Sequence, residues 1–374
     1  MRHRFVNASV PHLLSSAIAP AQVLRGWGIL AQLEHHLPFI GERPLVIGGQ
    51  LGVALFQEQE LPLADATYAS YGVDCTYQTI EALIQVGQKH RAGVILGVGG
   101  GKALDAAKLV AYHLGLPVVT IPTSAATCAA WAPLSNLYAL EGAWLEGVEL
   151  PRAPELLLLD YGLVQKAPVR TLVAGIGDAL AKWYESSVSS GVGATGGGQS
   201  DVLVIAAVQQ ARTLRDILFL KGEEAVRDPQ SKAWEQVVDA NILLAGLVGG
   251  LGGERCRTVA AHAVHNALTT LPTTRSSLHG EKVALGILVQ LRLEETLSGN
   301  RLAEIARQQL IQFYRAVGLP ITLTDLNLGP LTPEMLLAVA HHACAPESDL
   351  HYLPFTVPPE ALVQSLSAEE TVLL

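Results

Sequence analysis

Short apolar runs rich in Val, Ile and Leu recur through the first 160 residues and end at glycine, proline or aspartate. They occupy residues 44–49, 93–98, 116–122 and 156–160. Segments long enough to form helices separate them, which predicts parallel βαβ units with right-handed crossovers. In such sheets ligands bind at the carboxyl ends of the strands.

From about residue 168 the pattern changes to apolar positions at helical spacing, and runs of β-branched residues become rare. Helices are predicted over residues 170–187, 206–218, 233–251, 257–268 and 281–295. Residues 186–200 are rich in glycine and serine and predict a flexible loop. The change of pattern predicts a boundary near residues 161–168, between an α/β domain (1–164) and an all-helical domain (165–374).

Composition excludes several classes of protein. Hydrophobic residues make up 49% and charged residues 16% of the 374 residues. Residues 109–140 contain no Asp, Glu, Lys or Arg, but Pro117, Pro122 and Pro133 would break a membrane-spanning helix. The net charge of −9 argues against a nucleic-acid partner. The four cysteines form no CxxC pair and the N-terminus has no signal-peptide core, so a reduced, cytoplasmic protein is expected.

A glycine-rich turn joins a predicted strand to a predicted helix at Gly97-Val-Gly99-Gly100-Gly101, with the helix beginning near Lys102. Backbone N–H groups at such a helix start can bind a pyrophosphate. The alternative is a turn made of glycine for tight packing alone. The turn matches neither the usual dinucleotide fingerprint nor a Walker A sequence.

Four residues of the helical half are candidates for metal chemistry: Asp178, His262, His265 and His279. One carboxylate and two imidazoles would leave a coordination position open, as catalytic sites require. His262 and His265 are three apart and share a helix face, so His265 could ligate, bond a ligand or relay protons. The alternatives are histidines satisfied in the core and an Asp178 that caps a helix.

These segments resemble the iron-containing alcohol dehydrogenase superfamily, specifically its glycerol dehydrogenase branch. The resemblance is carried, in order from about residue 90 to 295, by GVGGGKALDAAK, GIGDALAKWYES, AAHAVHNALT and HGEKVALGILVQL. It implies an α/β N-terminal dinucleotide-binding domain plus an all-helical C-terminal domain. It also implies an active-site cleft between them, a small-molecule substrate, NADP(H) or NAD(H), one divalent metal ion and a homo-oligomer.

Residue by residue, the resemblance implies that Asp178, His262 and His279 hold the metal ion. Lys182 stands where iron-type relatives have a further histidine, and an ammonium cannot ligate, so zinc is expected in preference to iron. The resemblance also places the cofactor beside Gly101, Lys102, Asp105, Thr123, Leu134 and Tyr138.

Two departures from the glycerol dehydrogenases concern Cys128 and Gly49. Those relatives have an aspartate at position 128 that binds polyol hydroxyls, and an aspartate near position 49 that repels a 2′-phosphate. Their loss resembles the hydroxycarboxylate dehydrogenase A branch, which reduces 2-oxo acids with NADPH. The alternatives are a space-filling cysteine, an ordinary turn glycine and an NAD-linked glycerol dehydrogenase; a dehydroquinate synthase-like lyase is more remote.

The predicted chemistry is hydride transfer between the nicotinamide and a substrate carbon, with the substrate oxygen activated at the metal held by Asp178 and His262. His265 is the candidate for a proton path to solvent, and a purely supporting role for it is equally open. A substrate carboxylate needs a cationic partner, for which Lys182, Arg257 and His351 are the candidates.

Overall fold

The computed structural model describes residues 17–63, 65–195, 202–253, 256–328 and 331–371. Its first part is built on a six-stranded, all-parallel sheet with the strand order β1-β8-β5-β4-β2-β3. An antiparallel hairpin of β6 and β7 is separate from it. The strands are β1 (Gln22–Gly26), β2 (Pro44–Gly48), β3 (Thr67–Ser70), β4 (Val94–Gly99), β5 (Val118–Pro122), β6 (Leu134–Tyr138), β7 (Trp144–Glu149) and β8 (Leu156–Asp160).

Helices cover this sheet, and every residue of β2, β4, β5 and β8 is buried. Burial on both faces explains why these strands appear in the sequence as continuous apolar runs. The covering helices are α1 (Leu33–Ile40), α2 (Gln50–Gln57), α3 (Tyr77–His90), α4 (Gly101–Leu114) and the short α5 (Tyr161–Val164).

The remainder of the chain is helical, and no described residue after β8 lies in a strand. A π-helical turn, Ala240–Leu244, joins two of its helices. The helices are α6 (Val169–Thr195), α7 (Val202–Arg227), α8 (Lys232–Asp239), α9 (Ala245–Gly252), α10 (Ala260–Leu268), α11 (His279–Ser298), α12 (Arg301–Val317), α13 (Pro333–Ala343) and α14 (Pro359–Thr371). The predicted fold class is confirmed, and the predicted boundary at residues 164/165 falls between α5 and α6.

The flexible loop predicted over residues 186–200 is wrong for residues 186–195, because α6 continues to Thr195; residues 196–200 lie outside the described residues. Serine side chains in this part of α6 donate hydrogen bonds to carbonyl groups of the same helix. Ser190 Oγ donates to the carbonyl of Ser187, and Ser186 Oγ donates to that of Lys182. Ser186 and Ser189 are buried, so packing overrides the low helix propensity of serine.

Glycines let α6 approach the site from two sides. A Cβ on Gly175 would lie 1.8 Å from the carbonyl oxygen of Ala125, and one on Gly280 would lie 1.8 Å from that of Ala174. Only glycine permits these contacts, which hold the first part of α6 against the segment after β5 on one side and against the start of α11 on the other. Among the described residues, no helix is long and apolar enough to span a membrane.

Candidate active site

Three side chains from three helices converge where α6, α10 and α11 meet. Asp178 lies inside α6, His262 in the first turn of α10, and His279 begins α11. Asp178 Oδ1 lies 3.2 Å from His279 Nε2 and 3.5 Å from His262 Nε2, and the three donor atoms all lie within 4.8 Å of one another. The position of Asp178 inside a helix excludes the capping alternative.

This donor set fits a divalent metal ion. One carboxylate oxygen and two imidazole nitrogens are ligands that zinc accepts, and all three residues line one cavity, so a further position faces open space. Burial raises the pKa of Asp178, but Lys182 and the two histidines lower it further, so it falls well below its usual value. The carboxylate is therefore charged and ready to ligate.

Glu185 fixes the orientation of His262. Its Oε2 lies 2.6 Å from His262 Nδ1, and its Oε1 accepts from the main-chain N–H of Val259 at 2.7 Å and of His262 at 3.0 Å. An acceptor at Nδ1 holds the ring hydrogen there and leaves Nε2 free to ligate. Burial lowers the pKa of His262, but Glu185 and Asp178 outweigh it and raise that pKa to about 9.

Sequence reasoning did not identify this role for Glu185. The residue lies seven positions after Asp178, hence two helical turns along α6 on the same face, and that spacing was the available signal. Its partner His262 is 77 residues away in the chain, so no local pattern joins the two.

A cavity of about 480 Å³ extends from these donors to the glycine turn that follows β4. Gly99 ends β4 with a φ of 144°, and Gly100 caps α4 with no side-chain hydrogen bond to the helix start. Several residues predicted to bind cofactor or substrate line the cavity, namely Gly100, Gly101, Lys102, Asp105, Cys128, Leu134, Tyr138 and Lys182. Their binding roles stay predictions.

Two of the predicted cofactor residues also hold the cavity wall together. Lys102 pairs with Asp74, and its Nζ lies 4.8 Å above the ring of Tyr138. Asp105 accepts a hydrogen bond from the main-chain N–H of Asn136 at 3.2 Å and lies 3.1 Å from Lys108 Nζ. These contacts fasten the β6–β7 hairpin onto α4.

Comparison with known proteins agrees with this architecture. The sequence signature of iron-containing alcohol dehydrogenases matches residues 20–161. An uncharacterised oxidoreductase of Synechocystis sp. is 52% identical over 360 residues, 95% of this chain and 91% of that protein. Hydroxycarboxylate dehydrogenase A of Escherichia coli is 38% identical over 330 residues, 86% of this chain and 87% of that protein.

The crystal structure of a probable glycerol dehydrogenase from Sinorhizobium meliloti is also similar. It is 32% identical, superposes with a TM-score of 0.85, and the match covers 96% of this chain and 99% of that one. The chain belongs to the iron-containing alcohol dehydrogenase family, in its glycerol dehydrogenase-like branch. It is therefore an oxidoreductase of the alcohol dehydrogenase type, and this membership supports a nicotinamide cofactor and a bound metal ion.

In this dehydrogenase His265 contacts His279, one of the three metal donors, as the supporting alternative requires. Its Nε2 lies 2.9 Å from His279 Nδ1, its Nδ1 lies 2.8 Å from Asn266 Oδ1, and it does not line the cavity. Burial, followed by the neighbouring His279, holds the pKa of His265 well below its usual value, so the ring is neutral. The contacts favour support of His279; the proton path through His265 stays a prediction.

The other predicted residues lie at or beyond the edge of the cavity. Gly49 caps α2 at the carboxyl end of β2, and a Cβ there would lie 3.3 Å from the ring of Tyr71. Thr123 follows β5, and its N–H donates to the carbonyl of Gly99 at 3.1 Å. Neither lines the cavity itself, and neither does Gly99.

His351 is placed away from the cavity that the dehydrogenase would offer its substrate. The residue is exposed, its Nε2 lies 2.9 Å from the carbonyl oxygen of Ala345, and it does not line the cavity. The substrate role of His351 stays a prediction. The cations that do line the cavity near the metal donors are Lys182 and Arg257.

Proposed function

We propose that this dehydrogenase reduces small 2-oxo acids to 2-hydroxy acids with NADPH, at a zinc ion held by Asp178, His262 and His279. The observation that carries the proposal is Cys128, which lines the cavity where the resemblance to glycerol dehydrogenases places an aspartate. Burial raises the pKa of the Cys128 thiol, so the group is neutral. An aspartate would repel a carboxylate substrate, and a thiol does not.

The charges around the metal donors favour an anion as well. Asp178 and Glu185 contribute two negative charges, and the buried amino groups of Lys182 and Lys282 contribute at most two positive charges, because burial lowers the pKa of Lys282 to about 8. A divalent ion would thus add positive charge that these four side chains do not neutralise. Low-dielectric surroundings strengthen its attraction for an anionic substrate. An aspartate at Cys128 would cancel part of that attraction.

The residues of the chain have distinct tasks in this chemistry. A zinc ion bound here supplies Lewis acidity towards the substrate oxygen. Glu185 keeps His262 Nε2 available, and His265 keeps His279 oriented. The N–H groups at the start of α4 suit a pyrophosphate, which would direct the nicotinamide along the cavity.

Gly49 supports NADPH over NADH. It lies at the carboxyl end of β2, where a carboxylate in relatives bonds the ribose and repels a 2′-phosphate. Glycine brings no charge to this position. The absence of a carboxylate at this position therefore removes an obstacle to the additional phosphate of NADPH.

NAD-linked glycerol dehydrogenation is the second candidate. It is favoured by the similarity to the probable glycerol dehydrogenase, which extends over 96% of this chain. Under this alternative Cys128 and Gly49 are packing changes without effect on specificity.

The proposal is tested by Cys128→Asp, with Cys128→Ser as the matched uncharged control. The quantity to measure is the ratio of kcat/KM for 2-oxobutanoate to that for dihydroxyacetone. We expect the ratio to fall by roughly 100-fold in C128D, about 2.7 kcal/mol of lost discrimination, because a buried like charge is introduced. In C128S it should change by less than about threefold, within 0.7 kcal/mol. An unchanged ratio in C128D would refute the proposal.

A further inference from the structure

Arg257 adds a cation to the cavity wall besides Lys102 and Lys182, and its function is not explained by the metal site. It lies just before α10 and lines the cavity together with Asp178 and His262. Its main-chain carbonyl accepts a hydrogen bond from Lys182 Nζ at 3.2 Å. Because Lys182 is one helical turn after Asp178, this contact holds the Arg257 segment beside the metal donors.

The stem of the Arg257 side chain is also held in place. Gly249 of α9 lies beneath it, and a Cβ on that glycine would be 3.1 Å from Arg257 Cγ. The side chain is only 13% exposed. The guanidinium therefore moves over a limited range and stays at the cavity wall.

The guanidinium is paired with a carboxylate that solvent can readily hydrate. A terminal nitrogen of Arg257 bonds Glu149 Oε1 at the end of β7, and the Glu149 side chain is 58% exposed. Ion pairs with such an exposed partner are weak and exchange easily. Glu149 lines the same cavity, so its carboxylate pairs with Arg257 in the space that a substrate would enter.

The pairing leaves part of the guanidinium unused. Within the described part of the chain, Arg257 Nε is buried and has no hydrogen-bond acceptor. A buried donor without an acceptor is unfavourable, and an arginine bound to a carboxylate in the bidentate manner uses two nitrogens. Glu149 therefore satisfies less of this group than a small carboxylate could.

We infer that Arg257 binds the carboxylate of the substrate, and that Glu149 takes its place when no substrate is bound. The inference rests on the proposed function for the substrate class. An incoming 2-oxo acid displaces Glu149 into solvent. Its carboxylate then pairs with Arg257 Nε and a terminal nitrogen of the same guanidinium. Lys182 is less suited to this task, since its ammonium donates to the Arg257 carbonyl and neutralises Asp178. Arg257 then sets specificity for anionic substrates, with Glu149 as the competitor.

Arg257→Gln and Arg257→Lys test the binding role, with Arg227→Gln as the control. Arg227 pairs with Glu223 on an exposed part of α7, outside the cavity lining. We expect R257Q to raise KM for 2-oxobutanoate about 30-fold, with a clearly smaller effect on dihydroxyacetone. R257K, which keeps the charge but loses the bidentate geometry, should lie between R257Q and the wild type. KM for NADPH and bound zinc per chain should match those of R227Q.

Glu149→Gln should change KM for 2-oxobutanoate in the opposite direction, towards tighter binding, which a general loss of structure would not do. Removing the competing carboxylate should lower KM for 2-oxobutanoate by about threefold to tenfold. It should also strengthen inhibition by propanoate, an unreactive carboxylate, in assays with dihydroxyacetone. A raised KM in E149Q, or an R257Q variant that behaves like R227Q, would overturn the inference.

The same assays separate this inference from the proposed function. A wild-type enzyme that reduces 2-oxobutanoate without dependence on Arg257 would overturn the inference and leave the proposed function standing. A wild-type enzyme that rejects 2-oxobutanoate, yet is inhibited by propanoate through Arg257, would refute the proposed substrate and support the carboxylate site.

Discussion

Two substitutions of Glu185 should affect the stability of the fold and the affinity of the site for metal to different extents. Glu185 is fully buried, with 0% of its surface exposed, and it accepts three hydrogen bonds around the start of α10. The two informative variants are Glu185→Ala, which removes all three hydrogen bonds, and Glu185→Gln, which keeps one oxygen in place.

The alanine variant should be strongly destabilised. It leaves the main-chain N–H groups of Val259 and His262 and the ring Nδ1–H of His262 without their acceptor. Each buried donor left unpaired costs about 1–3 kcal/mol, and water entering the vacated space recovers part of that cost. We therefore expect a loss of about 3–5 kcal/mol in the free energy of unfolding, against a total of about 5–15 kcal/mol for a typical domain.

The glutamine variant should behave differently, because one oxygen of Glu185 serves both main-chain donors. The amide oxygen can replace it and keep most of the stability, while the amide NH₂ then faces His262 Nδ1. That NH₂ donates to Nδ1 and moves the ring hydrogen to Nε2, the atom needed for the metal. We expect a loss of about 1 kcal/mol in stability but a 10–100-fold loss of metal affinity.

Urea denaturation of the metal-free proteins and zinc competition against a chelator give the two quantities. We expect E185A to be the less stable of the two, and E185Q to bind zinc more weakly than the wild type despite its near-normal stability. An E185Q protein with wild-type zinc affinity would refute the role assigned to Glu185. So would a loss of zinc affinity that is proportional to the loss of stability in both variants.

Three further predictions concern other parts of the site. Gly49→Asp should lower kcat/KM for NADPH by roughly tenfold or more relative to NADH, through repulsion of the 2′-phosphate, as initial rates will show. Gly175→Ala should cost about 3 kcal/mol or more in urea denaturation, because its Cβ meets the carbonyl of Ala125 at 1.8 Å. The pKa of His262 is raised to about 9 in the metal-free protein, and zinc must displace that proton. Zinc affinity measured by chelator competition should therefore rise with pH, from about 6.5 to about 9, by up to roughly tenfold per pH unit.

The sequence predicted those strands whose signal is local. The interior strands β2, β4, β5 and β8 are apolar throughout because both faces are buried. The edge strands β1 and β3 alternate between partly buried and exposed positions over only a few residues, so they resemble loop segments. The β6–β7 hairpin is held by long-range contacts to α4, which no short pattern reveals.

The residues of the site likewise fall into those that a local motif predicts and those that only the fold brings together. Asp178, His262 and His279 are recognisable from motifs because each lies in a distinctive run of small residues, and the structure brings them together. The role of Glu185 depends on where α6 meets α10, and the pairing of Arg257 with Glu149 depends on where the β6–β7 hairpin lies; neither was visible in the sequence. His351 was predicted as a possible partner for a substrate carboxylate, and it is not among the residues that line the cavity.

The proposed substrate and cofactor are tested most directly by comparing wild-type kcat/KM for 2-oxobutanoate and dihydroxyacetone, each with NADPH and with NADH, in zinc-loaded protein. Both Cys128 and Gly49 bear on the outcome, one through the substrate and one through the cofactor. We expect the highest value for 2-oxobutanoate with NADPH. A highest value for dihydroxyacetone with NADH would contradict the proposal and identify the chain as an NAD-linked polyol dehydrogenase.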